Sequence, residues 1–369
     1  LLVEHHRDMI ELADYVVDMG PQAGNAGGEI LFTGSYEQLL QSDTPTGKAL
    51  RCYTEPKQNL RVPKEWFCLE HATRHNLKDV SVRLPLGTFT AIVGVAGSGK
   101  SSLMECFAEQ AGEKAVYISQ KNIGASLRST PATYLGIADE IRRIFAKQCG
   151  KKASLFSFNG EGKCPACGGK GVIVSDMSFM DSIETVCELC GGLRYSEEAL
   201  SYQAGGLNIA QVMDLTVEKA IRHFENTEIA RSLIPLKRVG LDYLHLNQAL
   251  STLSGGELQR LKLASYLDRS GCIFILDEPT DGLHLSDIQR LILLLNEMVE
   301  AGNSVFVIEH SLEVLKSCDY VIEVGPGGGN EGGTLLFAGT PQEMQNCPQS
   351  ITAPYLKQET ERGKEGSPD

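Results

Sequence analysis

The sequence predicts an α/β fold with a buried parallel sheet, interrupted by a helical insertion that carries a four-cysteine metal module. Three observations predict it. The apolar run Thr88 to Val93 leads into Gly94-Val95-Ala96-Gly97-Ser98-Gly99-Lys100-Ser101-Ser102, and a helical pattern follows from Lys100 to Gln110. A second apolar run, Ile273 to Leu276, ends in Asp277 and Glu278, as a strand covered on both faces should. Between the two runs sit two C-x-x-C-G-G knuckles.

The bulk composition allows such a fold. With 369 residues, 42% hydrophobic and 22% charged, the chain can bury a large core and should hold two or more units. Its apolar runs, such as Leu291 to Leu295, are too short to span a bilayer, and no secretory pattern opens the chain. The expectation is a cytoplasmic protein with no membrane partner. A net charge of −13 argues against uniform coating by nucleic acid and leaves room for a local basic patch. Of the eleven cysteines, seven are scattered, which fits a reducing compartment better than a disulfide framework.

The segment Val3 to Gly34 recurs as Ile308 to Gly339, at a constant offset of 305 and without a gap. Glu4, His5, Asp14, Tyr15, Gly20 and Pro21 return as Glu309, His310, Asp319, Tyr320, Gly325 and Pro326, and the glycine pattern that follows returns with them. A tandem duplication is expected, with the tail of one copy preceding nearly all of a second, in a piece of a longer protein. On that basis residues 1–57 are the tail of a first ATPase domain and residues 58–118 the first part of the ATP-binding core. Residues 119–240 are the inserted signature domain, with its zinc module at 164–190. Residues 241–345 complete the core, and 346–369 form a C-terminal tail, whose polar stretch Lys357 to Asp369 is expected to be disordered.

Taken in order, Ser42 to Val62 is polar and proline-bearing and reads as a linker. Strands are expected at Trp66 to Leu69, Leu77 to Leu84 and Thr88 to Val93. The glycines at 94–99 let backbone N–H groups turn inward on phosphates, at the positive end of the following helix. Lys100 would reach the β- and γ-phosphates of ATP, and the Ser101 hydroxyl would hold Mg²⁺. The short strand Val116 to Gln120 ends in a glutamine suited to a catalytic loop. Leu253-Ser254-Gly255-Gly256-Glu257 is the cassette signature, which presents N–H groups and a hydroxyl to the γ-phosphate held by an opposing domain. Asp277 is expected on Mg²⁺, Glu278 on the attacking water, and His310 near the γ-phosphate. Asp281 to His284 is the stretch expected to cross to the partner domain. The order of these strings is that of an ATP-binding cassette, and the chemistry implied is attack of water on the γ-phosphate. Because each P-loop needs the signature of an opposing copy, nucleotide binding with slow hydrolysis is expected unless copies pair.

About 150 residues separate Lys100 from Ser254. Within them Cys164, Cys167, Cys187 and Cys190 form two pairs with nineteen residues between. Four thiolates so spaced suit a tetrahedral structural Zn²⁺, and iron satisfies the same ligand set. Residues 121–170 carry nine Lys/Arg against three acids. A solvated helix face and a nucleic-acid surface both account for that reversal of sign.

The chain resembles the C-terminal half of the UvrA family, the ATP-binding damage-recognition subunits of bacterial nucleotide excision repair. The residues that carry the likeness are GVAGSGKSSL, Arg128 to Tyr134, Phe156 to Asn159, the paired knuckles followed by Arg194-Tyr195, LSGGELQRLKLAS, LDEPTDGLH and the repeated GPxxGxxGG tails. The resemblance implies two cassettes joined head to tail, zinc modules, a homodimer, DNA as ligand, and a UvrB-like partner engaged through an N-terminal half. The loop Gly171 to Ser182 is acidic, and the basic run before Cys164 is short. Both depart from the family pattern and point to a divergent UvrA-like paralogue. The alternative function is a drug-resistance protein acting on a drug or on drug-modified DNA.

Overall fold

The computed structural model describes residues 1–4, 7–20, 28–52, 55–119, 129–175 and 183–365. They fall into two units, Leu1–Lys121 with Tyr266–Asp369, and Asn122–Ser265. No helix among the described residues is long and apolar enough to cross a membrane.

The first unit is built on a six-stranded sheet. In spatial order its strands are Thr334–Gly339, Tyr320–Gly325, Phe89–Val93, Ser304–Ile308, Ile273–Asp277 and Ala115–Ile118. Every neighbouring pair is parallel except the hairpin made by the first two. Phe89–Val93 and Ser304–Ile308 are buried at every position, which is why they read as unbroken apolar runs. Ile308 pairs with both Asp277 and Ile92, so three central strands end level. The loops that begin at Gly94, Glu278 and Glu309 therefore leave one edge of the sheet, where open α/β folds bind ligands.

The helix Lys100–Ala111 packs on this sheet, with the antiparallel ribbon Glu65–Ala72 and Val80–Leu86 on its other side. Phe107 marks the seam. Its ring meets Phe306 of the sheet and Phe67 of the ribbon edge-on, each at 4.9 Å between centroids. The ribbon's second strand starts at Val80 and not at the expected Leu77, because His75 and Asp79 turn the chain at positive φ.

Two stretches read as irregular are helical. Within the expected linker, Pro45–Arg51 is a helix whose Thr44 cap accepts from Gly47 N at 3.0 Å, with proline in the first turn. Beyond it, Lys57 and Arg61 ion-pair with the buried Asp319 at 2.6 and 3.1 Å. The polar tail expected to be disordered from Lys357 continues the helix Ala353–Glu365 as far as Glu365. Leu356 and Glu359 are buried, and Glu359 pairs with the fully buried Lys316 at 3.5 Å and with Arg7 at 3.5 Å. A polar sequence is ordered here by one apolar face and one buried ion pair.

The second unit is mostly helical. Its helices include Ile137–Cys149, Val217–His223, Glu228–Arg238 and Gly255–Ala264, and side chains of Thr216, Thr227 and Ser254 cap the last three. The hairpin Val172–Ser175 and Ile183–Val186 joins the two cysteine knuckles. The unit runs to Ser265, so it contains Ser254 to Glu257, which the expected boundary at residue 240 assigns to the core.

Candidate functional site

The P-loop is shaped for an anion. Gly94 and Gly99 sit at φ +135° and +107°, and the helix that starts at Lys100 has no side-chain cap. The helices behind Ser35, Thr44, Thr130 and Ser254 are closed by their own hydroxyls, whereas this one leaves its first-turn N–H groups to a ligand. Lys100 is buried, and its ammonium donates to the carbonyls of Gly94 and Val95 at 2.8 and 3.0 Å. Burial pulls its pKa down, against the opposing charges of Glu278 and Asp277. Ser101 is exposed just beyond it. Tyr117, which the sequence reading did not single out, lies on the neighbouring strand; burial, then the charge of Asp277, pushes its phenol above the ordinary range.

At the same edge, Asp277 ends its strand and Glu278 follows at φ +49°, in a region that non-glycine residues rarely occupy. The ladder continues one step further, with Glu278 N donating to Ile308 O at 2.9 Å. The Glu278 carboxylate lies 3.4 Å from His310 Nε2. Burial and then Lys100 push the His310 pKa below its ordinary value, against the pull of Glu278.

Glu309 is the residue that motif reading passed over. It is buried, and it accepts from Thr280 N at 2.9 Å, His310 N at 3.0 Å and Ser311 N at 3.4 Å. One carboxylate thereby ties the turn after Glu278 to the turn that carries His310. Burial still leaves its pKa raised. Its recurrence as Glu4 was the available signal. A cavity of about 230 Å³ opens beside these turns, lined by Glu278, Asp281, His310 and Glu309 together with Arg7 and Cys52. His284, in the stretch expected to cross to a partner, contacts Thr46 Oγ1 at 3.0 Å.

Ser254 to Glu257 lies in the second unit as a capping box. Ser254 Oγ donates to Glu257 Oε2 at 2.9 Å, and Glu257 N donates back to Ser254 Oγ at 3.3 Å. Tyr243 adds its hydroxyl to Glu257. Gly255 and Gly256 occupy the first turn, where N–H groups have no intrahelical acceptor. Gln120 lies outside the described residues.

The four cysteines are buried, and their sulfurs all lie within 4.8 Å of one another. Cys164 and Cys187 are 3.9 Å apart and Cys167 and Cys190 3.7 Å apart at sulfur. A tetrahedral ion with metal–sulfur bonds near 2.3 Å needs sulfurs about 3.8 Å apart, so the cage has the size of a metal ion. Gly171 N donates to Cys167 Sγ at 3.2 Å. Burial pushes the Cys167 thiol up, but the Gly171 N–H, Cys164, the Gly169 N–H and Cys190 outweigh it and bring it down to about 7, while burial pushes the Cys190 thiol up.

A P-loop, an Asp-Glu strand end and a histidine turn on one sheet edge define a P-loop ATPase domain of the cassette class. A family model described as ABC transporter matches residues 77–281. UvrABC system protein A of Bacillus subtilis is 40% identical over 405 residues, taking in 99% of this chain and 42% of that protein. Its Thermus thermophilus counterpart is 42% identical over 385 residues, 93% of this chain and 40% of that one. The crystal structure of UvrA2 from Deinococcus radiodurans superposes with a TM-score of 0.90 at 41% identity, covering 97% of this chain and 48% of that one. The chain belongs to the ABC family and, within it, to the UvrA proteins. It spans less than half the length of these relatives.

Proposed function

We propose that the chain is the second ATPase half of a UvrA-type protein that binds DNA and recognises damage in nucleotide excision repair. The N–H groups of residues 94–99 and the Lys100 ammonium bind the ATP phosphates, and Ser101 and Asp277 hold Mg²⁺. When bound, that ion neutralises charge on the phosphate oxygens. Glu278 orients the attacking water and accepts its proton. His310, kept neutral by burial and by Lys100, holds the Glu278 carboxylate and faces the γ-phosphate. Gln120 completes that set. Ser254, Gly255, Gly256 and Glu257 serve the nucleotide of an opposing cassette. The observation that carries this reading is the convergence of Lys100, Asp277, Glu278 and His310 on one sheet edge, with the lysine inside the field of both carboxylates.

Zinc is the proposed occupant of the four-sulfur cage, as a structural ion of the second unit. In that unit Arg143, Lys147, Lys151, Lys152, Lys163 and Lys170 are exposed, which supports a phosphate-backbone surface. Arg142 is different, since it is tied to Asp139, Ser157 and Ala138 O at 2.9, 3.1 and 3.0 Å. Pairing as a homodimer and contact with a UvrB-like protein through an N-terminal half belong to the same proposal.

Filter binding of the full-length protein to intact and lesion-bearing duplex, at several salt concentrations, tests the DNA reading. Affinity should fall with salt by about 0.9 log units per log unit of salt for each phosphate contacted. Lesion-bearing duplex should bind tighter. Salt-insensitive binding, or none, overturns the reading in favour of a protein acting on a drug itself.

A further inference from the structure

The repeated glycine tail is the one sequence motif that the catalytic parts leave without a role. In the second copy it follows the strand Tyr320–Gly325 and runs back across the P-loop. Gly329 N donates to Gly97 O at 3.0 Å, and Gly333 N donates to Ser98 O at 2.9 Å. Asn76 closes the arrangement from the side. Its Nδ2 donates to Gly97 O at 2.9 Å and to Gly329 O at 3.1 Å, while Lys78 N donates to Gly333 O at 2.8 Å.

Three backbones meet here at contact distance. A Cβ on Gly333, which sits at φ +83°, would lie 1.9 Å from Asn76 O. One on Gly94, at φ +135°, would lie 1.9 Å from Val324 O. Only glycine allows this approach on either side.

The chemistry of a phosphate loop explains why such packing is useful. To aim its N–H groups inward at an anion, the loop must turn carbonyls outward, and outward carbonyls need donors. Gly97 O and Ser98 O receive theirs from the glycine tail and Asn76. We infer that residues 327–333, together with Asn76, form a positioning clasp that holds the P-loop in its phosphate-binding shape before nucleotide arrives. The inference rests on the reading of residues 94–102 as an ATP site. Asn76 is a positioning residue: it acts through Gly97, and its loss affects nucleotide capture and leaves the hydrolytic step alone. It is also the one clasp donor belonging to a side chain, so it can be changed without altering the main chain.

The test uses the full-length protein, with hydrogen exchange followed on peptides that cover residues 94–103 and with steady-state ATP hydrolysis. Loss of two hydrogen bonds should speed exchange of nucleotide-free Asn76→Ala about tenfold in that peptide, with protection regained when ATP and Mg²⁺ saturate. KM for ATP should rise by a similar factor, kcat should stay within about twofold, and the melting temperature should fall by no more than about 5 °C. Asn76→Asp, which sets a carboxylate against two carbonyl oxygens, should be worse than alanine in the nucleotide-free exchange. Ser101→Ala serves as the control, since the role proposed for its hydroxyl is toward Mg²⁺ and not toward the loop carbonyls. It should keep the slow nucleotide-free exchange of the wild type and weaken the protection that ATP and Mg²⁺ add. If Ser101→Ala behaves so while Asn76→Ala exchanges and binds like wild type, the clasp is refuted and the ATP site stands. If ATP and Mg²⁺ protect the peptide equally in wild type and Ser101→Ala, or in neither, the ATP-site reading itself fails.

Discussion

Glu278, the proposed general base, has a backbone with the strain that functional positions often carry. A φ of +49° is costly for a side chain with a Cβ, yet the bond from its N–H to Ile308 O and the Glu309 bridge to Thr280 hold the turn in place. The turn carries the carboxylate to His310, 3.4 Å away, instead of continuing the strand. Glu278→Gln keeps shape and hydrogen bonds but cannot take a proton. The full-length variant should bind ATP with wild-type affinity and lose turnover by about 10²-fold or more, read by phosphate release. Turnover near the wild-type rate would remove Glu278 from the hydrolytic role.

At the scale of the element, the cysteine knuckles show how two short turns and one hairpin build a closed site. Val172 to Ser175 pairs in register with Ile183 to Val186, and that pairing brings sulfurs twenty-three residues apart to within 3.9 Å. Four buried sulfurs so close together repel one another as thiolates unless a cation sits among them. Elemental analysis should therefore find about one zinc per four-sulfur cage in the protein as purified. Removing it with a chelator should release thiols to a colorimetric reagent and lower the melting temperature of the second unit. A folded, metal-free protein with all four thiols shielded would contradict the assignment. Residues 176–182, part of the acidic stretch Gly171 to Ser182, lie outside the described residues.

On the scale of the whole molecule, the first unit is closed by ties between segments far apart in the chain. Asp319 is the principal one. It takes Lys57 and Arg61 as ion pairs and accepts from Phe89 N at 2.9 Å, which fixes residues 57–61 to the start of the strand that feeds the P-loop. Burial pushes its pKa up, but Lys57 and the N–H donors outweigh this and leave it below the ordinary carboxylate value. A lowered carboxylate pKa contributes stability that is complete above the unfolded value, near 4, and is lost as pH falls through the folded value. Asp319→Asn should cost about 3 kcal/mol at neutral pH, because Lys57 keeps its charge without that counter-ion and Arg61 is left with Glu300 alone. In urea melts the gap between variant and wild type should shrink below about pH 4. An equal gap at both pH values would show that packing, and not charge, is what Asp319 contributes.

What the sequence determined by itself is the chemistry of short strings. The P-loop, the Asp277-Glu278 strand end, the signature and each single cysteine knuckle depend on residues within about ten positions of one another, so their local geometry follows from local order. The parallel sheet was legible for a related reason, since strands covered on both faces must be apolar throughout. Tertiary structure alone decided which distant groups serve these strings. Asn76 reaches Gly329 across 253 positions, and Lys57 and Arg61 reach Asp319 across more than 250. The helices Pro45–Arg51 and Ala353–Glu365 have polar sequences that become ordered only against the surfaces they cover. Strand order creates these meetings, and the spacing of residues along a chain carries little record of which strands will lie side by side.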